Sequence, residues 1–201
     1  MCRSSLAPVQ LALIVAHRPG ASVVAKRRQT PLRGSSVSGV LFLVRHASAG
    51  DRRAWRGDDS ARPLDPMGHA QAEAIAAALA SAPILRMLSS PSVRCVQTIE
   101  PLAAQLGLDI EISAELAEGA DGWRTEALVE RLCGETGHSV LCSHGDVIPE
   151  VLWRLSYRGI DVNPTRCKKA SVWELHVADG TVSHGLYRSP RSLGARVEDL
   201  T

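Results

Sequence analysis

The stretch VLFLVRHASAG, residues 40–50, runs five apolar residues straight into an arginine and a histidine. A short continuous apolar run of this kind reads as a strand covered on both faces. Arg45 and His46 are costly to bury, so the strand has to end where they meet polar or charged partners. Working outward from it, strand-like and helix-like pieces alternate, which predicts an α/β fold in three layers: a mostly parallel central sheet with helices on both faces. DPMGHAQAEAIAAALAS (65–81) places Asp65 at a cap and Pro66 at the first helical position, with Ala72, Ile75 and Leu79 on one face. ILRML (84–88) reads as a second strand. SSPSVRCVQTIEPLAAQLG predicts a helix opening at Pro91 and stopping at Gly107, with Val93, Val96, Ile99, Ala103 and Leu106 as its buried stripe and a kink at Pro101. LDIEI reads as a strand, TEALVERLCG as a short helix and HSVLCS as a strand. DVIPEVLWRLSYRG is a helix that tolerates Pro149 in its first turn. ASVWELHVADGTVSHGLYR closes as a hairpin around Asp179-Gly180.

Composition narrows the function classes. A chain of 201 residues has room for one domain with a sizeable core. The net charge of +2 and the seven aromatic residues (four Trp, two Tyr, one Phe) argue against a nucleic-acid binder, which needs a basic footprint or a stacking platform. The five cysteines (Cys2, Cys95, Cys133, Cys142 and Cys167) are odd in number and widely spaced; they suit neither a disulfide framework nor a zinc site, and read as reduced thiols of a cytoplasmic protein. No apolar run is long enough to span a bilayer. Oligomeric state has no signature in the sequence. Residues 40–190 read as the domain and 191–201 as a tail. Residues 1–39, apolar at 6–16 and then basic and rich in Pro, Gly and Ser, read as a disordered tail, or as a start assigned upstream of a true one near Val40. Arg3 before that apolar run has the look of a signal peptide, but the leading charge is small and AHRPG is a poor cleavage site.

In sheets of this class the ligand crevice lies beyond the carboxyl ends of the strands. Arg45-His46 ends the first strand, Arg94 follows the second, and His144 in CSHGD follows the strand SVLCS. Two arginines and two histidines therefore converge on one rim. Guanidinium forks match phosphate oxygens and keep their charge. One neutral imidazole can attack phosphorus while the other stabilises the transferring oxygens. Two nearby guanidiniums also disfavour imidazolium. A proton donor for the leaving oxygen is available in SAELAEGADGW, as Glu115 or Glu118.

These motifs resemble those of the histidine phosphatases of the phosphoglycerate-mutase-like superfamily. LVRHASAG is similar to that family's leading Arg-His-Gly motif, with Ala47 where glycine is usual. SSPSVRCVQT is similar to its Ser-Pro-x-x-Arg-x-x-Gln-Thr motif, and SHGD to the one carrying its second histidine. ARPLDPMGHAQA resembles the stretch between them in small SixA-type members. The resemblance spans residues 40–188 and extends to the phosphatase-like domain appended to actinobacterial MutT-type Nudix hydrolases, whose Nudix signature is absent from this sequence.

The resemblance implies a phosphoglycerate mutase-like fold and metal-independent hydrolysis with no cofactor. His46 would form a phosphohistidine, and Arg45, Arg94 and His144 would hold the phosphoryl oxygens. Glu118, in the pattern Leu-x-Glu, would be the acid in preference to Glu115. The substrate would be a phosphorylated small molecule or a phosphohistidine protein. The alternatives are a non-catalytic phosphate-binding or regulatory module, against which the intact His46 and His144 speak, and a phosphoglycerate-type mutase, against which the short length speaks.

Other residues carry blander expectations. Arg62 would greet substrate at the rim or pair with Asp58 or Asp59. Asp51, Asp58 and Asp59 read as a polar loop rather than a cation site. His69, His138, His176 and His184 fit no ligand spacing, and Cys142 reads as a small buried strand residue. Trp123 and Trp153 would pack in the core or line the substrate mouth. The methyl of Ala47 would press on the backbone beside the nucleophile.

Overall fold

The computed structural model describes residues 38–194. The readings made for residues 1–37 and 195–201 lie outside the described residues. Among the described residues six strands and four α-helices follow in order: β1 (Gly39–Arg45), α1 (Pro66–Leu79), β2 (Ile84–Ser89), α2 (Val93–Leu106), β3 (Ile110–Ile112), α3 (Gly122–Cys133), β4 (His138–Ser143), α4 (Val147–Tyr157), β5 (Val172–Ala178) and β6 (Thr181–Arg188). One sheet has the order β3-β2-β4-β1-β5-β6. Its first four strands are parallel, and the β5-β6 hairpin joins antiparallel to β1. This is the three-layer α/β architecture, and the alternation along the strands builds it. Phe42 and Val44 of β1, with Met87, Val140 and Cys142, face α1 and α2; Leu41 and Leu43, with Leu88 and Leu141, face α3 and α4. Each such aliphatic side chain contributes about 1.5–3 kcal/mol by leaving water.

Local signals fix the element ends. Asp65 caps α1 by accepting from the Gly68 amide, and Pro66 sits in the first turn. Gly107, with φ +66°, ends α2 in the left-handed region. Asp179 and Gly180 both take positive φ in the hairpin turn, as a two-residue connection requires.

Two helices differ from the sequence reading. α2 begins at Val93 rather than Pro91, and its buried face is Arg94, Cys95, Thr98, Ile99, Leu102 and Ala103, with Val93 exposed. The stripe is turned because Arg94, an arginine that hydropathy assigns to solvent, points inward. α3 begins at Gly122, three residues before the expected Thr125, where a Cβ at Gly122 would run into the Glu150 side chain of α4. At the carboxyl end Pro190–Leu193 form a 3-10 turn, and Leu193 is buried against the α1–α2 side of the core.

Register brings the site together. Arg45 lies beside Ser143 in the β1-β4 ladder, and Ser89 beside Cys142 in the β2-β4 ladder. The pairing continues past the strand ends, with the His46 amide donating to Ser143 O and the Ser90 amide to Cys142 O, both at 3.0 Å. His46, Ser90 and His144 therefore emerge at one level of one rim.

Candidate active site

His46 and His144 stand with ring centroids 5.3 Å apart at an interplanar angle of 60°. His46 is 6% exposed and His144 1%. The Nδ1–H of His46 donates to the carbonyl of Ala47 at 2.8 Å. That bond fixes the tautomer and leaves the lone pair on Nε2. Burial, partly opposed by the Ala47 carbonyl, and then the nearby His144 and the charges of Arg94 and Arg45 lower the pKa of His46 from 6.5 to about 3. It is a neutral imidazole at any physiological pH. His144 has Ser90 Oγ at 2.7 Å from Nε2, and Arg94 Nη2 donates toward its Nδ1 at 3.4 Å.

Arg94 is the largest fully buried side chain described. Nη1 donates to the carbonyl of Asp59 at 2.6 Å, and Nη2 to Glu118 Oε2 at 2.7 Å; Asp59 Oδ2 lies 3.3 Å from Nη2. Its backbone is tied to the His46-Ala47 segment through Thr98, whose hydroxyl donates to Arg94 O at 2.6 Å and accepts from the Ala47 amide at 2.9 Å. Arg45 donates through Nη1 to Cys167 O at 2.5 Å, and its Nε has no partner. A Cβ on Gly145 would come within 2.5 Å of the Arg45 guanidinium carbon, so glycine at this position of SHGD makes room for it.

The two candidate acids part company here. Glu118 reaches the site: Oε2 accepts from Arg94 and Oε1 from Arg52 at 3.0 Å. Glu115 turns toward α3, accepting from Ser113 at 2.6 Å and from Arg131 at 3.3 Å. Arg62 is buried, with its Nε on Asp59 at 2.9 Å and its Nη1 on Ala49 O at 2.5 Å. Of its two expected placements, the pairing with Asp59 is the one found, in a largely buried setting. The Arg62 hydrogen bond, with the charges of Arg94, Arg62 and Arg52, holds the Asp59 carboxyl below its ordinary range against the effect of burial.

Among the described residues no group of three or more His, Cys, Asp or Glu side chains could hold a metal ion. Cys142 is fully buried, which raises its pKa well above the ordinary thiol value. Trp123 and Trp153 are not core residues: both are more than half exposed, Trp123 beside the Arg124 guanidinium and Trp153 stacked on Tyr157. Ala47 is fully buried in the α1–α2 core, so its methyl fills the core.

Several neighbours of the site escaped the sequence reading. Ser90 lies in the SSPSVR motif, which does not by itself reveal that its hydroxyl reaches His144. Arg52 and Asp59 lie in a loop whose composition looks like plain solvated polarity. Cys95 places its Sγ 3.4 Å from His144 Nε2 because it follows Arg94 on the buried face of α2. Lys169, which precedes the Ala170 amide that lies 3.2 Å from His46 O, has no local signature at all.

Residues 41–124 match the family model of the histidine phosphatase superfamily, branch 1. The chain belongs to the histidine phosphatase superfamily. It is 38% identical over 155 residues to a protein of Mycolicibacterium smegmatis named 8-oxo-(d)GTP phosphatase, a match covering 75% of this chain and 48% of that relative. The chain thus spans about half the length of the curated relative it matches. In fold it is similar to the protein histidine phosphatase SixA complexed with tungstate, at 24% identity and a TM-score of 0.62 over 77% of this chain and 99% of that one. It is also similar to a phosphoglycerate mutase from Bacillus anthracis, at 14% identity and a TM-score of 0.61 over 83% and 98%. The family's fold is therefore present, and within it the matched segment carries His46, Arg94 and Glu118.

Proposed function

We propose that the protein is a metal-independent phosphatase that works through a phosphohistidine on His46. The observation that carries this reading is a buried, neutral His46 with its Nε2 lone pair free, beside Arg45, Arg94 and His144. Nε2 attacks phosphorus, and the bond from phosphorus to the leaving oxygen breaks. Arg45 and Arg94 neutralise the equatorial oxygens, and His144 donates to one of them. Glu118 gives its proton to the leaving oxygen. Water then attacks the phosphohistidine, the Glu118 carboxylate takes the water's proton, the N–P bond breaks, and inorganic phosphate leaves with His46 restored. In the free protein the guanidinium of Arg94 is held by Glu118 and the Asp59 carbonyl, and the incoming phosphoryl group takes their place.

The substrate is a phosphorylated small molecule, and the name of the 38% identical relative favours a nucleotide over a phosphohistidine protein. The four described cysteines are free, in keeping with a reducing cytoplasm. Among the described residues no helix is long and apolar enough to cross a membrane.

Rapid-quench trapping with a radiolabelled phosphomonoester tests the mechanism. Acid-labile, base-stable label is expected on wild type and absent from His46→Ala. Unlabelled wild type with no turnover would refute it. Glu118→Gln is expected to slow alkyl phosphates about tenfold or more beyond its effect on aryl phosphates, whose leaving groups need less protonation. Equal losses would remove Glu118 as the acid.

A further inference from the structure

The segment from Cys167 to Ser171, between α4 and β5, is sewn to the end of β1. The Arg45 amide donates to Ser171 O at 3.0 Å, the Ala170 amide lies 3.1 Å from Arg45 O and 3.2 Å from His46 O, and Arg45 Nη1 donates to Cys167 O. Ala170 holds φ +57°, a left-handed conformation that is unfavourable for alanine, and it is fully buried. This strained, multiply bonded turn fixes the backbone of Lys169 directly beside the nucleophile.

We propose that Lys169 is a substrate-binding residue of this site and that it holds a second phosphate, beyond the phosphoryl group being transferred. The assignment rests on the phosphatase reading above and deepens it.

The arginines around the site each have a hydrogen-bond partner, although Arg45 keeps an unpartnered Nε. Arg45 is bonded to Cys167 O, Arg62 to Asp59 and Ala49 O, Arg94 to Glu118 and the Asp59 carbonyl, and Arg52 to Glu118. Lys169 makes no ion pair and no side-chain hydrogen bond among the described residues. Burial and the charges of Arg45, Arg62 and Arg94 lower its pKa, and Asp65 opposes them only in part. Asp65 is engaged elsewhere, accepting from Ser48 Oγ and from the Gly50 and Gly68 amides. Lys169 is half-buried, and its backbone adjoins the Ala170 amide that meets Arg45 O and His46 O, so a cation with no carboxylate partner stands on the rim that already carries Arg45 and Arg94.

The transferred phosphoryl group already has Arg45, Arg94 and His144. An additional point charge with three donors suits the non-transferred oxygens of a leaving phosphate, which gains negative charge as its bond to the transferred phosphorus breaks. The substrate class is therefore a phosphoanhydride, and the 8-oxo-(d)GTP in the name of the relative favours a nucleoside diphosphate or triphosphate.

Calorimetric titration with inorganic phosphate and with inorganic pyrophosphate, in the presence of a chelator, tests the assignment on wild type, Lys169→Met and Lys169→Arg. Circular dichroism checks that each variant is folded. Wild type should bind pyrophosphate at least about tenfold more tightly than phosphate, the worth of one charge-assisted hydrogen bond. Lys169→Met should lose most of that preference and Lys169→Arg should keep it. A wild type with no preference, a preference that survives in Lys169→Met, or parallel weakening of both anions would each overturn the proposal. A wild type that shows the preference but takes no label on His46 defeats the phosphatase reading. A labelled wild type whose preference survives in Lys169→Met defeats only the role of Lys169.

Discussion

Replacing His46 by asparagine should change how stability depends on pH, because the fold keeps this imidazole neutral. In the unfolded chain His46 titrates near 6.5; in the folded chain burial lowers its pKa to about 3. Between those values the unfolded state binds a proton that the folded state refuses, so stability falls as pH falls through this window and is fully present above it. The ceiling on the effect is roughly 5 kcal/mol, from a shift of about 3.5 pKa units at 1.36 kcal/mol each. On going from about pH 7.5 to about pH 5 the loss is about 2 kcal/mol, since at the lower pH about 97% of unfolded chains carry the proton. Asparagine keeps a donor for the Ala47 carbonyl and has nothing to titrate. Urea unfolding at both pH values should show wild type losing about 2 kcal/mol more than His46→Asn. Parallel losses, within about 0.5 kcal/mol, would mean that burial does not hold the imidazole neutral. The neutral His46 on which the proposed mechanism depends would fail with it.

Other substitutions probe the supports of the site. Gly145→Ala puts a methyl against the Arg45 guanidinium, which its bond to Cys167 O keeps from swinging aside; phosphate affinity should fall about tenfold, read as the inhibition constant for inorganic phosphate, with the melting temperature little changed. Ala47→Gly removes a methyl from the α1–α2 core and should cost about 1–2 kcal/mol in urea unfolding while kcat stays within about threefold; a larger kcat gain would mean that the methyl does crowd the nucleophile. Arg94→Lys keeps the charge and loses the fork that spans the Asp59 carbonyl and Glu118, so kcat/KM should drop about a hundredfold or more, measured with an aryl phosphate.

The legible and illegible parts of this site differ in how far their signals reach along the chain. Arg45-His46, Arg94 and His144 could be placed because each follows a strand whose own apolar pattern marks its end, and parallel register then sets those ends at one level. The cap at Asp65 and the hairpin turn at Asp179-Gly180 were equally local. The helix stripe of α2 misled for the opposite reason. Hydropathy turns a helix to bury Val93 and Val96, whereas the site needs Arg94 inside, and the fold satisfies that buried guanidinium with Asp59 and Glu118 from two separate loops. No pattern within α2 announces those partners. Lys169 is the extreme case: it stands 123 residues from His46 in sequence, in a segment whose composition is ordinary, and the hydrogen bonds of Cys167, Ala170 and Ser171 to Arg45 and His46 bring its backbone to the rim. The motifs thus mark where phosphorus is handled. On the proposed function, the residues that would meet the rest of the substrate sit in segments 51–62 and 167–171, which only tertiary contacts bring to the rim.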